Sequence, residues 1–137
     1  MRKRKEPEPS HGFTVNKVPK ELYIKFKKVL KDLYGTLTMS DYFRIAVAAD
    51  ARIPLKGRKT DYNNARYKGI INWSKYKKYV KNPNQTYMVG TVVQYPQADW
   101  DIFYENCLVR GETPKHRLQM FMLDLLMEND LFKKGNQ

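Results

Sequence analysis

Two five-residue stretches, Val15-Asn16-Lys17-Val18-Pro19 and Val92-Val93-Gln94-Tyr95-Pro96, decide how this chain is read. Each is rich in β-formers and is closed by a proline, which cannot donate to a ladder and suits the first turn of a helix. The pattern predicts a strand over 13–18 and another over 87–95, each handing the chain to a helix.

The downstream residues agree with that reading in both places. After Pro19, the residues Leu22, Phe26, Val29, Leu30 and Leu33 recur at helical spacing until Gly35 stops the run. Thr38 then offers a hydroxyl N-cap with Asp41 in the first turn, and a second helix carries Phe43, Ala46, Val47 and Ala49 until Pro54 forces its end. After Pro96, the residues Trp100, Phe103, Cys107 and Leu108 form the third helical face, Gly111 ends it, and Thr113-Pro114 opens a last helix with Leu118, Phe121, Met122, Leu125 and Leu126. Pro19 and Pro96 lie 77 residues apart, and Thr38 and Thr113 lie 75 apart, with Phe26 matching Phe103, Gly35 matching Gly111 and Phe43 matching Leu118. Two strand-helix-helix segments therefore form an internal repeat. Neither, at about forty residues, buries enough core alone, so the two are expected to pack on each other.

Working outward, the remaining segments differ mainly in charge. The chain has 137 residues, is 42% hydrophobic and carries a formal net charge of +12, which suits a packed core and a polyanionic partner. The excess is concentrated between the repeats, where residues 56–86 hold nine basic side chains against one acidic, interleaved with Tyr62, Tyr67, Trp73, Tyr76 and Tyr79. Residues 1–12 read as a disordered basic arm bearing Arg2, Lys3, Arg4 and Lys5, with no apolar run that would make it a secretory signal or a membrane span. The lone Cys107 excludes an internal disulfide and points to a reducing, cytoplasmic setting. The division expected is an arm over 1–12, one unit over 13–55, a basic aromatic connector over 56–86, a second unit over 87–131 and a flexible tail over 132–137. The connector is too long for a structureless loop, and Thr60-Asp61 can cap a helix in it that ends before Asn82-Pro83-Asn84. Its basic side either extends a phosphate footprint or stays solvated while its aromatics pack on the units.

A strand ending in proline, Glu21-Leu22, Phe26, Val29-Leu30, a glycine, hydroxyl residues and Ser40-Asp41-Tyr42-Phe43-Arg44-Ile45-Ala46 resemble the Arc/MetJ/CopG ribbon-helix-helix family. The resemblance covers about two thirds of the chain; the second unit departs from the pattern at Ala98-Asp99 and Lys115-His116-Arg117. It implies a mainly α fold with a short two-stranded antiparallel β-ribbon, built from two ribbon-helix-helix units in one chain plus a helical connector. It implies a monomeric pseudo-dimer whose ribbon enters the major groove of duplex DNA while the starts of the second helices clamp flanking phosphates. Val18 and Tyr95 are then expected to face the core, and Val15, Lys17, Val92 and Gln94 the bases, with Gly90 allowing close approach. The family's register would bury Thr14 and Asn16 and expose Phe13 and Val15, so a bulge or slip that turns Asn16 toward DNA makes it a further reader. The clamp residues implied are Thr38, Met39 and Ser40, with Thr113, Lys115 and His116. Arg2, Lys3, Arg4, Lys5, Lys56, Arg58 and Lys59 are the expected backbone contacts.

Neither His11 nor His116 stands at metal-ligand spacing with other donors, and no phosphate-cradling glycine loop or Ser/His/Asp set is present, so no metal, cofactor or catalysis is expected. The leading reading is a sequence-specific DNA-binding factor that represses transcription or assists a plasmid relaxase. Two others stay open: an assembly factor whose connector and Met-rich last helix engage a protein, and a single-strand binder stacking bases on Tyr62, Tyr67, Trp73 or Tyr76.

Overall fold

The computed structural model describes residues 9–14, 18–59, 71, 73–82, 87–88 and 92–135. The chain is mainly helical with a small antiparallel β component. In order, the elements are β1 (Ser10–Thr14), β2 (Val18–Pro19), α1 (Lys20–Tyr34), α2 (Met39–Ala51), a 3-10 turn (Trp73–Tyr76), β3 (Tyr87–Met88), β4 (Val92–Pro96), α3 (Gln97–Arg110) and α4 (Pro114–Gly135).

Both prolines switch the chain from strand to helix, and they do so with the same backbone: Pro19 has φ −54° and ψ 135°, Pro96 φ −54° and ψ 132°. The fixed pyrrolidine ring supplies that φ, and its missing N–H would be unpaired in a first turn anyway. At the other ends of these helices Gly35 and Gly111 take φ of 63° and 77°, where any side chain would be strained. Thr38 caps α2 with a full capping box: its Oγ1 accepts from Asp41 N at 3.1 Å and its own N–H donates to the Asp41 carboxylate.

β1 pairs antiparallel with β4, Ser10 opposite Pro96 and Thr14 opposite Val92, while β2 pairs antiparallel with β3, Val18 opposite Met88 and Pro19 opposite Tyr87. The two ladders share one register. Moving nine residues along one strand, from Ser10 to Pro19, moves nine residues back along the other, from Pro96 to Tyr87. Strand pairing thus starts at Ser10, three residues before the predicted strand, and it takes in Ser10–Gly12, which had been assigned to the arm. The physical reason is cross-strand packing: His11 and Phe13 face inward, opposite Tyr95 and Val93, and their rings lie 4.5 and 4.9 Å from Trp100. Phe13 is therefore turned inward, where the family register exposes it. Phe13 and Val18 are an odd number of residues apart and both pack into the core, so strict alternation does not connect them.

The helices cross-pack. α1 lies against α4, and α2 lies against α3 and against β4, so each strand-helix-helix segment completes the core of the other. Leu22, Phe26 and Leu30 of α1, Phe43 and Val47 of α2, Trp100, Phe103 and Cys107 of α3, and Leu118, Met122, Leu125 and Leu126 of α4 are all buried, as helical spacing predicted. Leu33 and Ala49 are exposed, beyond the edge of their faces. The aromatics run as a chain of contacts, Phe26 to Phe43 at 6.0 Å, and Tyr95 to Trp100 to Phe103 to Phe121 at 5.0, 5.4 and 6.0 Å. Each fully buried ring contributes about 1.5–3 kcal/mol. The hydroxyl of Tyr42 donates to Phe121 O at 3.1 Å, joining the first segment to the second.

α4 continues through Gly135, so much of the expected tail 132–137 is the end of a helix. Of the connector, the helix expected from Thr60 falls mostly outside the described residues, and the described parts are residues 56–59 and the 3-10 turn with its flanks. Ile71, Trp73 and Val80 are buried there. Glu21 of α1 accepts from Lys81 N at 2.9 Å, Lys25 Nζ donates to Lys78 O at 3.1 Å, and the Tyr79 hydroxyl donates to Asp130 of α4 at 2.6 Å. The returning connector is therefore fastened to both α1 and α4.

Candidate nucleic-acid interface

The outward face of the β1–β4 ladder carries Ser10, Gly12 and Thr14 on one strand and Val92, Gln94 and Pro96 on the other. Val92 is 54% exposed and Gln94 is exposed, whereas Val93 and Tyr95 between them are buried. This is the alternation expected of β4, and it places Val92 and Gln94 on the solvent side with Tyr95 inward. Val18 is also inward. Val15, Asn16, Lys17 and Gly90 lie outside the described residues, as do Arg2, Lys3, Arg4 and Lys5.

Gln94 is held from two sides. Its side-chain oxygen accepts from the Ser10 hydroxyl at 3.2 Å, and its amide lies over Gly12, where a Cβ would meet Nε2 at 2.8 Å. The absence of a side chain at residue 12 is what lets the amide lie across the strand pair. Arg44, one turn into α2, donates to Gln94 O at 3.4 Å and pairs with Asp41 at 2.7 Å. That brings a guanidinium to the edge of the outward face. Sequence reading passed over both Gly12 and Arg44. Gly12 belonged to the presumed arm, and an arginine three residues after an aspartate on a helix is ordinarily a solvated pair.

The two segments differ at the starts of their second helices. Thr38, Met39 and Ser40 border an open groove of about 630 Å³ that α1 lines with Lys27, Lys28 and Lys31. In the second segment Thr113 and Pro114 are buried, Thr113 being 2% exposed, so these two are withdrawn from any ligand that approaches from solvent. Thr113 accepts from His116 N at 3.4 Å. His116 Nδ1 lies 2.8 Å from a carboxylate oxygen of Glu112, and Arg117 pairs with the other oxygen. Glu112 is itself buried; burial works to raise its pKa, but the hydrogen bonds from His116 and Arg117 outweigh that and hold the carboxyl below its ordinary range. Lys115 is half-buried. Of the expected clamp, then, the three residues of the first segment stand together at a basic groove, while in the second His116 is engaged by an internal acid. Glu112 follows directly on the helix-stopping Gly111, and nothing in the sequence pattern distinguished it from a surface glutamate.

Lys56, Arg58 and Lys59 are exposed, on the segment that follows α2, and Lys59 pairs with Glu105 of α3 at 3.1 Å. Trp73 is 4% exposed and is therefore unavailable for base stacking; Tyr76 is half-buried, and Tyr62 and Tyr67 lie outside the described residues. Met122 is buried and Met120 and Met127 pack against the core, so these methionines serve the fold. Among the described residues no helix is long and apolar enough to cross a membrane.

Neither a family model, nor a curated protein, nor a solved structure matches this chain.

Proposed function

We propose that this protein binds duplex DNA sequence-specifically, as two ribbon-helix-helix units fused in one chain whose strands form a two-stranded ribbon that enters the major groove. The observation that carries the reading is the single antiparallel register joining segments 77 residues apart in sequence, with Val92 and Gln94 on its outward face. A two-stranded ribbon fits the width of the major groove of B-DNA, and there a glutamine amide pairs with an adenine edge and a valine contacts a thymine methyl. The crossed packing of α1 on α4 and α2 on α3 supports the same reading, because it lets two incomplete units share a core. So does the net charge of +12.

Lys17, Val15, Asn16 and Gly90 complete the proposed reading set, and Thr38, Met39 and Ser40 are the proposed phosphate contacts of the first unit, with Lys115 a weaker one of the second. Because the two strands differ in sequence, the preferred site is asymmetric. The role served is transcriptional control or support of a relaxase in plasmid conjugation, and the position of the site relative to a promoter or a nick distinguishes them.

The test is selection from a random duplex pool, followed by titration of the selected duplex, a scrambled duplex and the corresponding single strand at several salt concentrations. The reading expects a preference of about a hundredfold or more for the selected duplex, in the range usual for specific over non-specific binding. A Lys17→Ala/Gln94→Ala variant should lose that preference and keep a salt-dependent baseline. No preferred duplex, or tighter binding to the single strand, would overturn it.

A further inference from the structure

The two units differ in where their cations come from. In the first, the groove beside the start of α2 is lined by Lys27, Lys28 and Lys31 of α1. Carried over by the offset of 77 that relates Phe26 to Phe103, these positions in α3 are Tyr104, Glu105 and Leu108, so the second unit has no lysine row of its own. Yet this stretch of α3 is where the segment following α2 is docked. Leu55 N donates to Asn106 Oδ1 at 2.7 Å, and Asn106 Nδ2 lies 3.2 Å from Ile53 O and 3.1 Å from both Asp50 O and Asp50 Oδ2. Lys59 reaches Glu105 at 3.1 Å, and a Cβ on Gly57 would stand 3.2 Å from Val109 Cγ1.

Asn106 is 1% exposed, and the corresponding residue of α1 is Val29. A buried amide is costly unless its hydrogen-bonding groups are satisfied; here Asp50 at the end of α2 and Ile53 O of the loop accept from its Nδ2, and Leu55 N of the loop donates to its Oδ1. The loop in turn gains a fixed place along α3, and Lys56, Arg58 and Lys59 on it are exposed.

We infer that the loop 53–59 is a docked basic arm, positioned by Asn106, that gives the second unit the phosphate-backbone contacts its own α3 lacks. The inference rests on the duplex-binding reading above. Cations for the two ends of the bound duplex thereby come from α1 at one end and, at the other, from the start of the connector in the loop after α2. Asn106 is a positioning residue, acting through the loop and touching no DNA itself.

The test compares the salt dependence of duplex binding for the full chain and three variants. Lys56→Gln/Arg58→Gln/Lys59→Gln removes exposed charges, of which Lys59 also pairs with Glu105 of α3. Asn106→Ala removes the anchor with every charge kept. Leu55→Pro removes the N–H that Asn106 receives from an exposed residue, in case Asn106→Ala does not fold. Each phosphate contact contributes about 0.9 to the slope of log affinity against log salt, so losing two or three should flatten the slope by about 2–3 in the triple variant. The anchor variants should flatten it by at least about 1 with no charge removed and with the ratio of selected to scrambled affinity unchanged. A merely structural asparagine would lower melting temperature and leave the slope alone. A triple variant with the wild-type slope, or a triple variant that flattens while folded anchor variants do not, overturns the inference and leaves the ribbon reading standing. A wild type without salt-dependent duplex binding overturns both.

Discussion

Replacing Gly12 by alanine should disable the proposed reading head while sparing the fold. In the wild type the Gln94 amide occupies the space over Gly12, and an added Cβ would sit 2.8 Å from Nε2 and 3.4 Å from Cδ and Oε1. Ordinary contact needs about 3.5 Å, so the amide must withdraw by roughly 0.7 Å, which a long exposed side chain does at little cost. That movement breaks the 3.2 Å hydrogen bond from Ser10 to Gln94, worth about 0.5–1 kcal/mol at an exposed site. Against this, alanine gains about 0.5–1 kcal/mol over glycine inside a strand. The two nearly cancel, so thermal melts of Gly12→Ala and wild type should agree within a few degrees. The binding assay should separate them sharply. A well-placed glutamine contributes about 1–3 kcal/mol of discrimination at one base pair, roughly 5- to 150-fold, and displacing the amide forfeits much of it. The double variant Gly12→Ala/Gln94→Ala should discriminate no worse than Gln94→Ala alone, because both changes act on one group. Full discrimination by Gly12→Ala, or additive losses in the double variant, would refute the argument.

Three further outcomes follow from the core. Tyr95 is fully buried and its hydroxyl has no hydrogen-bond partner among the described residues, so Tyr95→Phe should raise stability in urea by about 1 kcal/mol; a comparable loss would mean that the hydroxyl is bonded. Glu112, held below its ordinary value of 4.5 by His116 and Arg117, contributes stability that is fully present above that value and disappears as pH falls through its lowered folded pKa. Glu112→Gln should therefore cost about 3–5 kcal/mol at neutral pH, with the gap from wild type closing only in acid well below pH ~4.5, and a gap that is constant with pH would contradict this. Burial, and then the nearby charge of Glu112, push the Cys107 thiol up to about 12, so a thiol reagent should label it no faster than the protein unfolds; rapid labelling of the native chain would show the site to be open.

Much of the helical part of this fold was legible because its signals are local. Pro19 and Pro96 mark where strand gives way to helix, Gly35 and Gly111 mark where helices stop, and the spacing of Leu22-Phe26-Leu30 and Trp100-Phe103-Cys107 marks the buried faces. The first strand was misplaced because its start depends on a distant partner. Ser10-His11-Gly12 carries no β-rich signature, and it becomes a strand because His11 and Phe13 stack on Trp100 some ninety residues away. The start of α4 was legible as a cap at Thr113 but illegible as a buried site, since the burial of Glu112 depends on Arg117 and on packing from elsewhere in the fold. The same holds for Asn106, one more polar residue on a helix until the loop after α2 comes to rest on it.

The central claim, that the ribbon reads duplex DNA from the major groove, is tested most directly by altering the groove and leaving the protein alone. Once a preferred duplex has been selected, its purines can be replaced one at a time by 7-deaza analogues, which remove the N7 acceptor from the major groove and leave the minor groove and base pairing intact. The account predicts that one or more such replacements lower affinity by about 1–3 kcal/mol, roughly 5- to 150-fold, and that the loss at the Gln94-contacted pair vanishes in Gln94→Ala. Wild-type affinity for every 7-deaza duplex, together with loss on minor-groove substitution, would contradict it.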